Sequence, residues 1–261
     1  MLLNELKALV LCLQFLTRLP LPFRIEGPDD LFARGTVFFP VAGALIGVCD
    51  AFVCWLLGHW MGPFATACLV VLFDTWITGG LHLDGLADTT DAFGSLRDRD
   101  RMLEIMKDSR IGTFGVLAII GVLLGRVALY GTLLELELPM RMLLGILAVI
   151  PCISRIGMVL LIYSSRYARE QGLGGMFFTY RNHLDVAFFV TLLLAGGLIY
   201  LILPSVISLV LVGSAALAGI WHRFRCYRKI GGMTGDTLGA GLEWMEAAMS
   251  LAAVLAVFYL A

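Results

Sequence analysis

Along this chain, apolar runs of about twenty residues alternate with short polar breaks. A spanning helix needs roughly 20 mainly apolar residues to cross about 30 Å of hydrocarbon. That measure picks out seven segments, near residues 36–60, 64–86, 112–134, 140–163, 186–203, 205–221 and 242–260. No soluble domain, linker, low-complexity tract or internal repeat interrupts the series. The expectation is an all-α, polytopic integral membrane protein whose residues 1–261 form a single membrane-embedded domain. Leu2 to Leu19 is also long enough to cross, but Asn4, Glu5, Lys7, Gln14 and Arg18 interrupt it, which favours an N-terminal interfacial helix over a span.

The polar breaks differ in charge. Residues 1–35, 87–111, 164–185 and 222–241 carry nearly all the loop lysines and arginines, whereas the turns at 61–63, 135–139 and 204 carry none. By the positive-inside rule the basic breaks face the cytoplasm, and seven crossings then leave the C-terminus outside. Composition agrees with a bilayer as the solvent: the chain is 59% hydrophobic and 15% charged, with a mean hydropathy of +0.89. A formal net charge of -1 gives no argument for a nucleic-acid or an acidic partner. The six cysteines form no C-x-x-C pair and read as small hydrophobes. The N-terminus lacks a basic n-region and a small-residue cleavage site, so a removed secretory signal is not expected.

Against this apolar background, "TGGLHLDGLADTTDAFG" (Thr78 to Gly94) stands out. On a helix Asp84, Asp88 and Asp91, spaced by four and then three, project from one face. Three carboxylates on one face repel, and a cation among them resolves the repulsion; hard oxygen ligands with room for phosphate oxygens suit Mg²⁺. Gly79, Gly80 and Gly85 each lower helix stability by roughly 1 kcal/mol relative to Ala, a cost that makes sense where a backbone or a bulky substrate must come close. The competing reading is a solvated membrane-exit turn. His82 is either an extra ligand or proton acceptor, or a hydrogen-bonded structural histidine.

Two further basic breaks carry complementary chemistry. In "MKDSRIGTFG" (Met106 to Gly115), Lys107 and Arg110 precede a glycine-led span with Asp108 or Ser109 as N-cap, an arrangement suited to phosphate. In "GGMTGDTLGA" (Gly231 to Ala240), backbone N–H groups around Gly235 can cradle an anion while Asp236 holds a metal. Either stretch alone also reads as a membrane anchor or a flexible loop. Within the spans, Arg155 is placed to reach a substrate phosphate, Arg126 to pair with Asp74, and each buried charge demands a partner or a function. Tyr167, Arg169 and Glu170 in "SRYAREQGLGG" carry no decisive signal.

"FLTRLP", "GGLHLDGLADTTDA", "RMLEIMKDSRIGTFG", "RYAREQGLG" and "GGMTGDTLGA" occur in order from about residue 15 to 240, and together resemble the cobalamin synthase family, the adenosylcobinamide-GDP ribazoletransferases. The resemblance implies a multi-pass enzyme of the prokaryotic cytoplasmic (inner) membrane with its active site facing the cytoplasm. It implies a Mg²⁺-dependent transferase that joins adenosylcobinamide-GDP to α-ribazole or its 5′-phosphate, releases GMP and acts late in cobalamin biosynthesis. Phosphoryl transfer is mostly positioning and charge neutralisation. The expected arrangement has Asp84, Asp88 and Asp91 holding metal, with Asp236 completing that site or a second one. Lys107, Arg110, Arg155 and Gly235 bind phosphate, and the ribose 5′-hydroxyl attacks in line, losing its proton to one of the carboxylates or to His82. A homo-oligomer is left open; nucleic acid is not an expected partner. CDP-alcohol phosphotransferases would continue D-G-x-x-A-R, prenyltransferases would need a second acid-rich motif, and a transporter would place its acids near the bilayer midplane among broken helices.

Overall fold

The computed structural model describes residues 2–22, 29–136, 138–170, 172, 174–179, 189, 192–193, 196–197 and 202–260. Among them the only non-helical pairing is an isolated bridge between Tyr167 and Met233, and the protein is an all-α, polytopic membrane protein. In chain order the helices are α1 (Leu2–Leu16), α2 (Asp29–Arg34), α3 (Phe39–Gly58), α4 (Pro63–Thr78), α5 (Leu81–Gly94), α6 (Arg99–Ile105), α7 (Thr113–Glu135), α8 (Met140–Ser164), α9 (Gly175–Thr179), α10 (Ser205–Ile230) and α11 (Gly235–Leu260). A 3₁₀ turn, Gly35–Phe38, joins α2 to α3.

Five described segments are long and apolar enough to span: Leu31–Gly58, Thr113–Glu135, Met140–Ser164, Ser205–Ile230 and Gly235–Tyr259. Together α4 and α5 make a sixth, bent by 90°. The span expected at 186–203 lies mostly outside the described residues. Helix α1 has 15 residues, about 22 Å at 1.5 Å per residue, too short to cross. It lays Ala8, Cys12 and Leu16 inward, spaced by four, and leaves Leu3 and Leu6 exposed.

The structure corrects three expected boundaries. The second span is not one straight helix over 64–86. Gly79 and Gly80 adopt φ of +68° and +70°, left-handed geometry that costs glycine little and stops a helix. Their N–H groups close the end of α4 onto the carbonyls of Trp76 and Thr75, while Arg18 donates from its backbone to Ile77 and from its guanidinium to Gly79. The last span begins at Gly235, not near 242. There the backbone N–H of Thr234 donates to the Thr237 hydroxyl at 2.8 Å and that of Thr237 to the Thr234 hydroxyl at 3.2 Å, a reciprocal cap that starts the helix as soon as the chain turns. Finally, α10 runs on to Ile230, so Arg223, Arg225, Arg228 and Lys229 ride on its last turns rather than in a loop.

Helix α11 is the hub, packing on α5, α7, α8 and α10. At its middle lies a buried charge network. Arg126 of α7 meets Asp74 of α4 at 2.9 Å, as the sequence suggests, and also Glu246 of α11 at 3.4 Å. Glu246 in turn accepts from Arg155 and, at 2.8 Å, from Ser154. In a low-dielectric bundle an unpaired guanidinium is expensive, and these contacts stitch α4, α7, α8 and α11 into one body.

Candidate active site

The acidic helix α5 is wedged between α11 and α7, and glycine sets how closely. A Cβ added at Gly85 would stand 2.7 Å from the backbone oxygen of Asp236, so only glycine lets the two chains approach. The glycines of the acidic stretch thus serve a backbone contact, and that contact puts the first turn of α11 beside Asp84 and Asp88. The charged neighbours of Asp88 are Asp84, Asp236 and Asp91, with Arg169 opposing them.

Each acid has a different environment. Asp84 is exposed and lines three neighbouring cavities, of about 480, 580 and 320 Å³. Asp88 is half-buried and lines the last of these together with Lys107 and Ser109. Asp236 accepts from Arg169 Nη2 at 2.7 Å and from the Thr234 hydroxyl at 3.3 Å. Asp91 turns toward α7, accepting from the backbone N–H of Gly112 at 2.7 Å and of Gly115 at 2.8 Å. It therefore caps α7 from another helix. That corrects the expected cap: Asp108 accepts from the backbone and side chain of Arg110 instead. Hydrogen bonds from Arg110 hold the Asp108 carboxyl down at about 2.

The expected phosphate ligands divide. Lys107 is exposed and lines both the Asp88 cavity and a neighbouring one of about 390 Å³ that also holds Arg99 and Arg169. Gly235, at the start of α11, lines the 480 Å³ cavity with His82 and Asp236. Arg110 projects outward, paired with Asp108 at 2.6 Å. Arg155 is a correction: it is 1% exposed, held by Glu246 in the bundle interior, and lines none of these cavities. Its charge is already met by a buried carboxylate, away from the cavities where phosphate would sit. His82 is buried, and its Nε2 has no hydrogen-bond partner among the described residues.

Arg169 and Arg99 carry more of the site than sequence reading assigns them. Arg99 donates to the carbonyls of Ile230 at 3.0 Å and Ala168 at 2.7 Å, tying α6 to the loops after α8 and α10. Those loops join through Ala168 to Met233 and Met233 to Arg166 backbone bonds of 2.8 and 2.9 Å. The basic breaks thus meet at one end of the bundle. Tyr167, between them, has its phenol pKa raised by burial. The sequence signal for Arg99 is its place in a basic break, and Arg169 also falls within the motif RYAREQGLG.

Among the described residues no three His, Cys, Asp or Glu side chains converge into a metal cage. The donor set nevertheless fits Mg²⁺, which is commonly bound by one or two carboxylates plus substrate phosphates and keeps several waters. Asp84 and Asp88 offer hard oxygens one helical turn apart beside open cavities, and Asp236 keeps lone pairs beyond those Arg169 and Thr234 use. The chemistry this arrangement supports is binding and neutralising a diphosphate between an acidic wall and Lys107.

Comparison with known proteins finds relatives that share one name. An adenosylcobinamide-GDP ribazoletransferase of Clostridioides difficile (strain 630) is 37% identical over 248 residues, covering 92% of this chain and 94% of the relative. Enzymes of the same name from Shigella boydii serotype 4 (strain Sb227) and Escherichia coli O45:K1 (strain S88) are 41% and 42% identical, each over 92% of this chain and 96% of the relative. No solved structure matches. The profile of the cobalamin-5-phosphate synthases matches residues 8–254, nearly the whole described bundle with α5, α6 and the first turns of α11 inside it, and the chain belongs to that family.

Proposed function

We propose that this chain is a Mg²⁺-dependent transferase joining adenosylcobinamide-GDP to α-ribazole or α-ribazole 5′-phosphate, with release of GMP, in the cytoplasmic membrane of a prokaryote and with its site facing the cytoplasm. The observation that carries the reading is the meeting of Asp84, Asp88 and Asp236 with Lys107 around two cavities that share Asp84. Family membership supports the substrates, and the gathering of Arg99, Lys107, Arg166, Arg169 and Lys229 at one end supports the orientation.

Asp84 and Asp88 would hold Mg²⁺, with Asp236 as the third candidate; Asp91 has only the lone pairs its cap of α7 leaves. Bound there, the ion supplies charge neutralisation on the diphosphate. Lys107 neutralises the phosphates, and Gly235, between Thr234 and Thr237 whose N–H groups are taken by their mutual cap, lines the neighbouring 480 Å³ cavity. A hydroxyl of the acceptor ribose attacks the cobinamide-linked phosphorus, an O–P bond forms, the bond to the GMP oxygen breaks, and the hydroxyl proton passes to a carboxylate or to His82. An acceptor already phosphorylated at the 5′ position has no 5′-hydroxyl to offer. The attacking group common to both acceptors is therefore a secondary ring hydroxyl, which corrects the 5′ assignment.

A carrier takes some support from the broken α4–α5 pair. Of the buried acids, Asp74 and Glu246 pair with Arg126 and Arg155, while Asp50 and Glu243 keep oxygens with no hydrogen-bond partner among the described residues, so GMP release is the measurement that separates enzyme from carrier. Purified protein in lipid nanodiscs, given both substrates and Mg²⁺, is expected to release GMP; Asp88→Asn should lower turnover by about a hundredfold or more, the scale of removing a group that stabilises transferring charge. Asp100→Asn, an exposed acid of α6, should not. Near-normal turnover in metal-replete Asp84→Asn and Asp88→Asn proteins would sink the assignment.

A further inference from the structure

The 480 Å³ cavity has a second character. Besides its polar lining of Asp84, Asp236 and Arg169 it is lined by four phenylalanines: Phe15 from α1, Phe32 from α2, Phe39 from α3 and Phe177 from α9. Their rings hold one another in place, Phe15 to Phe32 at 5.1 Å and 81°, Phe39 to Phe177 at 5.8 Å and 72°. Met158 and Ile162 of α8 also line it. Core packing alone would close such a group of rings; here four separate elements keep a void open between them, and Asp84 lines both that void and the cleft containing Lys107.

We propose that this aromatic chamber is the acceptor subsite, taking the flat, weakly polar base of the incoming riboside and so presenting its sugar at His82 and Asp84. The proposal rests on the proposed function above. The volume lies within the roughly 300–1,000 Å³ of small-molecule pockets, room for a nucleoside and not for a whole corrinoid macrocycle. Phenylalanine faces offer stacking to any planar ring but no donors or acceptors to a ring edge. Guanine, whose edge is dense with polar atoms, would lose its hydrogen bonds to water there without replacement; a benzimidazole loses few. The polar lining then meets the polar part of the ligand, the ribose, next to the cavity that Asp84 shares with Asp88 and Lys107. Because stacking reads planarity and size rather than edge pattern, the chamber accepts other fused-ring bases of similar dimensions.

The test separates the two substrates. In nanodisc-embedded protein, Phe32→Ala and the milder Phe15→Leu are compared with the parent for GMP release, varying α-ribazole and adenosylcobinamide-GDP in turn. Loss of a stacking face should raise KM for α-ribazole roughly tenfold, the lower range of base-stacking losses, and leave KM for adenosylcobinamide-GDP within about twofold. Equilibrium dialysis of 5,6-dimethylbenzimidazole, the base alone, should show binding to the parent that weakens in parallel. A rise confined to KM for adenosylcobinamide-GDP, an equal rise in both, or no binding of the base to the parent overturns the chamber assignment while parental GMP release leaves the proposed function standing. Absent GMP release by the parent refutes the function instead, and the dialysis then decides the chamber by itself. If Phe32→Ala does not fold, Phe15→Leu, which keeps most of the volume, carries the comparison.

Discussion

Replacing Asp91 with alanine separates two roles that its place in the acidic stretch confounds. Both carboxylate oxygens accept backbone N–H groups at the start of α7, from Gly112 at 2.7 Å and from Gly115 at 2.8 Å. Hydrogen bonds to charged groups contribute about 1.5–3 kcal/mol each, and losing an N-cap alone costs about 0.5–2 kcal/mol. Asp91 is half-buried, so solvent replaces part of the loss, and about 2–4 kcal/mol is the expected cost. At roughly 2–4 °C per kcal/mol for a chain of this length, the apparent Tm should fall by roughly 5–15 °C. Asp91→Asn keeps one acceptor oxygen and should fall about half as far. A thiol-reactive fluorogenic dye suits the assay at a fixed scan rate, because Cys12, Cys54, Cys152 and Cys226 are buried and free. Asp84→Ala is the control: that acid is exposed, and removing one of several like charges should leave Tm level or slightly raised. Added Mg²⁺ should not restore the Asp91→Ala Tm. A Tm for Asp91→Ala within about 2 °C of the parent, matching Asp84→Ala, would refute the cap and return Asp91 to the metal reading.

Glu246→Ala strands Arg155 in the bundle and leaves Arg126 its closer partner Asp74, and breaking a buried pair costs about 3–5 kcal/mol; the variant should accumulate poorly in membranes by quantitative immunoblot, whereas Glu104→Ala, which loses only the exposed pair with Arg101, should accumulate normally. Gly85→Ala drives a methyl group against the Asp236 backbone, an overpacking cost of about 1–3 kcal/mol, and should lower GMP release far more than Tm because it parts the acids. Gly80→Ala meets no neighbour within 4 Å, so its cost is the left-handed backbone alone, about 1–2 kcal/mol in a thermal scan. Arg99→Ala frees the carbonyls of Ile230 and Ala168 and should speed limited proteolysis after α8 without moving the α1–α3 fragments.

Some of this protein is written locally. The length of an apolar run sets whether a helix can cross a bilayer, so the spans over α3, α7 and α8 follow from composition to within a few residues. The 3.6-residue period puts Asp84, Asp88 and Asp91 on one face wherever that helix lies. A buried arginine must have an acid, so Arg126 with Asp74 was readable once both fell inside spans. The signal for Glu243 and Glu246, acids at the edge of an expected span, was equally plain but pointed to no particular partner.

Partner choice among distant residues is where local reasoning stops, since it depends on how helices cross. Asp91 meets N–H groups 21 and 24 residues away, and Arg155 meets a carboxylate 91 residues away; no periodicity encodes either, so two residues expected to serve ligands have structural work instead. The four phenylalanines come from α1, α2, α3 and α9, each an ordinary apolar position in its own segment, and become a chamber only when four elements close around one space. The sequence by itself determined the solvent, the apolar runs long enough to span and the chemical type of each side chain, because those depend on a residue and its near neighbours. The tertiary structure alone decided which acids stay open to a ligand, because a carboxylate's availability depends on what the rest of the chain brings against it.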